Sequence, residues 1–410
     1  MEMPINASRA TFMHVDLNSC FAIVEQQANP LIRNKPVAIA AYDTPHGMII
    51  ASSYEAKALG IKLGLNVSQA RQIFPGLIVL TPDPDKYFDV HRRFRQLLLS
   101  YTDKIEARSV DEFLIDFRGS ALLRKGFSLE QIGQAIKEDV KFKIGQYITI
   151  NVGIGNNPFQ AKLAASLHKP DGLDRIDGTN LESVFDKLSL LDLPGINYRY
   201  QARLNLAGIY SGRDFLNASL DKLQKEVFRG INGYYWYLRL RGYEIDTINF
   251  NRKSFGAQYT LAQKTTDLDQ LARILMKLSE KVGRRMRAKG YSGQGIKLFL
   301  KLIDGTVVVK HSHPGYQLYA TPDIYQVVFS LLNLILLGQP VRELGVSVYG
   351  LNSIQLAQQS LFGNTYNSIK IAQAMDAIND KYGEYKITMA LMANMKDVII
   401  KRVAFGKNDQ

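Results

Sequence analysis

Two adjacent carboxylates, Asp111 and Glu112, interrupt the apolar run Lys104-Ile105-Glu106-Ala107-Arg108-Ser109-Val110-Asp111-Glu112-Phe113-Leu114-Ile115-Asp116-Phe117. Successive side chains of an unbroken strand point to opposite faces, so these acids can meet one ion only if the chain bends at them. The stretch is therefore predicted to form two antiparallel strands, 104–109 and 113–117, with the acidic pair at the hairpin. Two carboxylates side by side repel each other, and a hard divalent cation removes that cost. A third carboxylate stands at Asp16, delivered by the short apolar strand Thr11-Phe12-Met13-His14-Val15, with Asn18 or Ser19 placed to cap a helix starting near Cys20. Three oxygen ligands suit Mg²⁺, which keeps other positions for water and substrate phosphate, and that is equipment for two-metal phosphoryl transfer. Any one of these acids alone would read as a strand-end or turn residue; together they point to chemistry.

Composition narrows the partner. Lys and Arg number 51 against 38 Asp and Glu, a formal charge of +13 over 410 residues. That surplus favours an anionic macromolecule, and nucleic acid over a membrane surface because no amphipathic basic helix dominates. One cysteine and six scattered histidines exclude a disulfide and a thiolate zinc cluster, so any metal is held by oxygen. No run reaches the roughly 18 apolar residues of a membrane span, and no signal-peptide pattern opens the sequence. A reduced, cytoplasmic location is expected, and the length suggests two to four domains.

Other segments follow in a set order. Tyr54 and Lys57 in Ser53-Tyr54-Glu55-Ala56-Lys57 lie one helical turn apart, where a hydroxyl and an ammonium can hold a triphosphate. Val152-Gly153-Ile154-Gly155 with Ala161-Lys162, and then Lys169-Pro170-Asp171-Gly172, come after the acidic pair. With Val15-Asp16-Leu17 to Phe21 and Ser109-Val110-Asp111-Glu112, this ordered set resembles a bacterial Y-family (translesion) DNA polymerase. The kind is that called DNA polymerase IV or the catalytic subunit of polymerase V.

The resemblance implies an α+β right-hand polymerase. Its parts would be a palm (1–21 and 78–172), small fingers (22–77), a helical thumb (173–242), a linker (243–254), a ferredoxin-like little finger (255–355) and a tail (356–410). It implies template-directed, low-fidelity synthesis across damaged DNA, as part of DNA repair in an SOS response. Asp16 and Asp111 would bridge two Mg²⁺ ions, Glu112 would join the ion that activates the primer hydroxyl, and the Leu17 carbonyl would join the nucleotide's ion. Phe21 would exclude a 2′-hydroxyl, and Tyr54, Lys57 and Lys169 would grip the phosphates. At Lys57 many relatives carry arginine, whose bidentate fork lysine lacks. Primer–template DNA and deoxynucleoside triphosphates are the implied partners, and a monomer is expected.

By periodicity, Val37–Ala40 reads as a strand, Tyr87–Tyr101 as an amphipathic helix, and 129–144 as another. Residues 149–154 read as a strand, so these two helices on a small antiparallel sheet make the palm, and 159–167 reads as a further helix. Leu193-Pro194-Gly195-Ile196 resembles a helix-hairpin-helix turn that holds a DNA phosphate on backbone N–H groups, with Asn197 where the family has a second glycine. Asparagine tolerates left-handed backbone there. From 255 the order is β-α-β-β-α-β, a ferredoxin-like unit, with helices at 267–289 and 322–337. Ile296, Leu298, Leu300 and Leu302 share one face of its second strand, while Lys297, Phe299 and Lys301 share the other. Lys297, Lys301 and Lys310, with Arg284-Arg285-Met286-Arg287 nearby, are expected to meet phosphates. In the tail, Gln358-Gln359-Ser360-Leu361-Phe362 resembles peptides that dock on the sliding clamp, through Gln358, Leu361 and Phe362, before a helix at 368–379 and a strand pair near Lys386 and Val398. A non-catalytic DNA-binding scaffold and a metal-dependent nuclease share the basic charge. The first has no need of three acids, and the second no need of Phe21, Tyr54, Lys57 and Lys169.

Overall fold

Two units make up the computed structural model, Met1–Asn249 with Arg402–Gln410 and Phe250–Lys401. The structure describes residues 3–245, 252–353, 365–393 and 395.

In the first unit the run that ends near Asp16 forms β1 (Phe12–Leu17), buried along its whole length. It is followed by α1 (Cys20–Ala28) and by a small subdomain: β2 (Val37–Ala40), β3 (Ile49–Ser52), α2 (Tyr54–Ala58), α3 (Val67–Ile73) and β4 (Ile78–Leu80). These three strands pair as β3-β2-β4 around a core of their own that includes Ile49, Ala56, Ile61 and Leu77. The chain then returns through α4 (Pro84–Leu99), β5 (Ile105–Ala107), β6 (Glu112–Asp116), α5 (Ala121–Arg124), α6 (Leu129–Lys143), β7 (Ile150–Gly155), α7 (Pro158–Leu167) and β8 (Leu173–Ile176).

β1 lies at the centre of a five-stranded sheet, β5-β6-β1-β7-β8, antiparallel to both of its neighbours. The sheet is mixed rather than wholly antiparallel. β7 and β8 run parallel, because α7 supplies the crossover a parallel pair needs. That pairing carries the sheet to Ile176.

α6 and α7 cover opposite faces. On one side Gly133 of α6 sits against Val152, Leu173 and Met13. On the other, a Cβ on Gly153 would lie 2.1 Å from both the Ala161 carbonyl oxygen and the Ala165 nitrogen. Glycine at 153 therefore lets α7 settle directly on β7. Phe94, Phe113, Ile115 and Ile136 fill the α6 side.

The remaining α-helices among this unit's described residues are α8 (Leu181–Phe185), α9 (Tyr198–Leu206), α10 (Gly212–Asn217) and α11 (Ile231–Leu240). Gly195 takes φ +93°, as the turn before α9 requires. Asn197 is not left-handed: at φ −109° it is the N-cap of α9, its side chain accepting the N–H groups of Arg199 and Tyr200. The capping preference of asparagine won over its tolerance of a positive φ.

The second unit contains β9 (Ser254–Thr265), α12 (Leu268–Ala288), β10 (Tyr291–Leu302), β11 (Val307–Ser312), α13 (Thr321–Asn333), β12 (Val341–Ser353) and α14 (Thr365–Tyr382). Its strands are ordered β11-β10-β12-β9, so each helical connection skips one strand, the split β-α-β pattern. α13 stops at Asn333, short of the expected 337. α14 docks on α12 through ion pairs from Arg287 to Asp376 and from Arg284 to Asp380. The arginines expected to add charge near the basic face are thus engaged within their own unit, with Arg285 donating to the Gly256 carbonyl at 3.1 Å. No strand forms at Lys386, and Val398 lies outside the described residues.

Candidate active site

Strand register brings the acids together. Asp16 on β1 lies directly opposite Glu112, the first residue of β6. Asp111 occupies the turn just before it, where the Leu17 N–H donates to the Asp111 carbonyl at 2.9 Å. Ser109 fixes this turn: its Oγ donates to Asp111 Oδ1 at 2.5 Å and accepts the Glu112 N–H at 3.1 Å. The Val110 carbonyl accepts from His91 Nδ1 at 2.8 Å, behind the turn.

Each of two acids meets a lysine. Lys169 Nζ donates to Asp16 Oδ2, and Lys162 Nζ on α7 donates to Glu112 Oε2 at 2.6 Å. Burial pushes the Asp16 carboxyl up to about 6; Lys169 pulls it down, and the Asp111 and Glu112 charges push it up again. Among the described residues no three His, Cys, Asp or Glu side chains converge closely enough to hold an ion as they stand. The donors are nonetheless all oxygen. A divalent cation fits this set, once the carboxylates turn from the lysines.

Ser19, Tyr54 and Lys57 lie next to the acids. Ser19 precedes α1 at φ +46° and makes no side-chain cap, contrary to expectation, while Asn18 donates to Asn151 Oδ1 at 2.8 Å. Lys57 Nζ instead donates to Ser19 Oγ at 2.6 Å and stands 4.6 Å from the Tyr54 ring centre. Burial and then the Lys169 charge lower the Lys57 pKa, and Asp16 opposes them, so Lys57, Lys169 and Asp16 share one electrostatic neighbourhood. The loop carrying Lys169 is anchored by Asn18, Asn151 and Lys141. The Asp171 N–H donates to Asn18 Oδ1 at 2.8 Å, Asn151 Nδ2 to the His168 carbonyl at 2.9 Å, and Lys141 to Asp171 Oδ2 at 2.8 Å.

Phe21, on the first turn of α1, is buried and stacks on Tyr87 with ring centres 4.5 Å apart. Tyr87 is in turn fixed by its hydroxyl, which donates to Glu25 Oε1 at 2.9 Å, and Glu25 also takes Lys86 at 2.6 Å. The ring at position 21 therefore sits on a rigid base.

Residues 15–166 match the impB/mucB/samB family and residues 252–361 its C-terminal domain. Over 406 residues the chain is 30% identical to DNA polymerase IV of Pelotomaculum thermopropionicum, covering 98% of this chain and 100% of that protein. The chain belongs to the Y family of translesion DNA polymerases. Among solved structures, a Y-family DNA polymerase chimera superposes with a TM-score of 0.72 at 27% identity, covering 85% of this chain and 99% of the other. An insertion ternary complex of Dbh DNA polymerase gives a TM-score of 0.56 at 26% identity, over 83% and 98%. The activity of the Y-family chain is DNA-directed DNA synthesis past damaged template, a nucleotidyl transfer, and enzymes of this kind need divalent metal ions.

Within this polymerase, Glu112 and Lys162 line an open cleft of about 520 Å³ together with His14, Arg108, Gly195 and Trp236. In the little finger, Ile296, Leu298 and Leu300 are buried while Lys297 and Lys301 share the open sheet face. Lys310 does not join them. It pairs in register with Leu298, which puts it on the opposite face, while His311 lies across from Lys297. Gln358, Leu361 and Phe362 lie outside the described residues. No described helix is long and apolar enough to cross a membrane.

Proposed function

We propose that Asp16, Asp111 and Glu112, with the Leu17 carbonyl, hold two Mg²⁺ ions for nucleotidyl transfer. The observation that carries this is the register of β1 and β6, which sets Asp16 opposite Glu112 with Asp111 tied to the backbone of Leu17. The ions would supply Lewis acidity at the primer hydroxyl and neutralise charge on the transferring phosphate. The protein's own groups do the rest. Lys169 leaves Asp16, and with Tyr54 and Lys57 it binds the triphosphate, a placement their shared neighbourhood supports. Phe21, held by Tyr87, closes the space beside the sugar C2′. Lys297 and Lys301 contact template or primer phosphates on the open face of the little finger, and the Gly195 turn contacts a phosphate at the thumb. The chain works as a monomer, and Gln358, Leu361 and Phe362 tether it to a sliding clamp, which raises its effective concentration at the primer end.

Primer extension tests this reading. Asp111→Asn should abolish extension while a gel shift still shows primer–template binding. Leu361→Ala with Phe362→Ala should leave unassisted extension intact and remove only the stimulation by clamp. Extension by the Asn variant at the wild-type rate would rule out the ligand assignment.

A further inference from the structure

His14 has no role in the reading above, yet it is the most unusual polar group in the cleft. It lies two residues before Asp16 on β1, so both side chains emerge on the same face. It is 2% exposed, and its Nε2 has no hydrogen-bond partner. That nitrogen stands 3.8 Å from Glu112 Oε2, the same oxygen that accepts Lys162 at 2.6 Å. A neutral imidazole carries one N–H donor and one acceptor, and a ring nitrogen left unsatisfied in the interior is costly.

We propose that His14 is a positioning residue for Glu112, the donor that takes over this carboxylate when Lys162 lets go. The proposal rests on Glu112 being a metal ligand. Lys162 faces an open cleft that also holds Arg108 and Arg239, and DNA phosphate entering that cleft draws the lysine away. Glu112 then needs to shift by only about 1 Å for Oε2 to reach the ordinary N–H···O distance from His14 Nε2. With the hydrogen bond made, the carboxylate is fixed in direction, the orphaned nitrogen is satisfied, and the remaining oxygen is free for an ion. Lys162 is the partner of Glu112 without DNA, and His14 its partner with DNA. Outer-shell donors of this type orient a ligating carboxylate without touching the ion.

The test uses the full chain bound to a primer–template with a dideoxy-terminated primer, so that nothing turns over, and titrates Mn²⁺ by electron paramagnetic resonance. His14→Phe keeps the bulk without the donor, and His14→Gln restores a neutral N–H of similar reach. His14→Phe should weaken Mn²⁺ binding about 10- to 100-fold, with the larger share of that loss recovered in His14→Gln. With an extendable primer, the same variant should lower kcat and leave the nucleotide KM within about twofold, as loss of an interaction at the reacting centre does. Should His14→Phe fail to fold, His14→Leu is the apolar variant. Wild-type Mn²⁺ affinity in the apolar variant would overturn the proposal. So would a His14→Gln variant as impaired as the apolar one, since that marks packing alone. Glu112→Gln, titrated in parallel, separates the two readings. If it keeps wild-type Mn²⁺ affinity, the ligand assignment fails; if it loses affinity while His14→Phe does not, only the role of His14 fails.

Discussion

Lys169 on Asp16 in the palm and Arg287 on Asp376 in the second unit are both acid–base pairs between segments distant in sequence, but their surroundings differ. The Lys169 side chain is 36% exposed, and it holds an acid whose carboxyl burial has pushed up to about 6. Arg287 is 3% exposed. It makes a bidentate pair with Asp376 at 2.6 and 2.9 Å, donates to the Tyr319 carbonyl at 3.0 Å, and reaches Thr321 Oγ1 at 3.3 Å. The first pair can open toward water and exchange its partner. The second is locked, because an arginine stripped of those acceptors would be left charged in the interior. On the proposed reading the Lys169–Asp16 pair serves exchange, whereas the Arg287–Asp376 pair attaches a helix.

The locked pair predicts the largest effect. Arg287→Ala should cost about 3–5 kcal/mol, since removing one partner leaves a buried charge uncompensated. Hydrogen exchange should show the loss in α14 and α12, with protection in β1 and β6 unchanged. Equal loss of protection in both units would break the comparison. Phe21→Ala acts on the exchanging side. It should reduce discrimination against ribonucleotides on the order of 10²-fold, the scale on which an apolar wall rejects an added hydroxyl. The quantity to measure is the ratio of kcat/KM for deoxy and ribo substrates, with stability followed alongside because Phe21 also stacks on Tyr87. The smallest effect is expected from lysines of the second unit that form no ion pair among the described residues. Lys297→Glu with Lys301→Glu should weaken binding to all DNA sequences alike and lower the salt slope by about 2. Lys310→Glu should have a smaller effect on the slope, given its place on the other face of the sheet.

Much of this was legible in the sequence because it depends on local patterns. The bend at Asp111-Glu112 follows from strand alternation alone, and the β-α-β-β-α-β order from a change of period. What was not legible depends on register and distant partners. The β10–β11 turn pairs Lys301 with Val307, and counting outward sets Lys310 opposite Leu298; a turn one residue longer or shorter would have flipped it. Arg284 and Arg287 read as a basic patch until the acids at 376 and 380, some 90 positions on, are seen to face them. The Lys162–Glu112 pair depends on how closely α7 lies on β7. The signal was present in Gly153, but the depth of that approach is a tertiary fact. Asn197 and Ser19 mark the limit of capping preferences, which name the residue types but not which one will cap.

Asp16, Asp111 and Glu112 are proposed to exchange their lysines and neighbours for metal ions when substrate binds. This exchange is tested most directly by counting Mn²⁺ ions in a complex of the full chain with dideoxy-terminated primer–template and the next correct nucleotide. The wild type should bind two ions, and Asp111→Asn should lose ion binding while still holding the DNA. An Asn variant with wild-type stoichiometry and affinity would contradict the account.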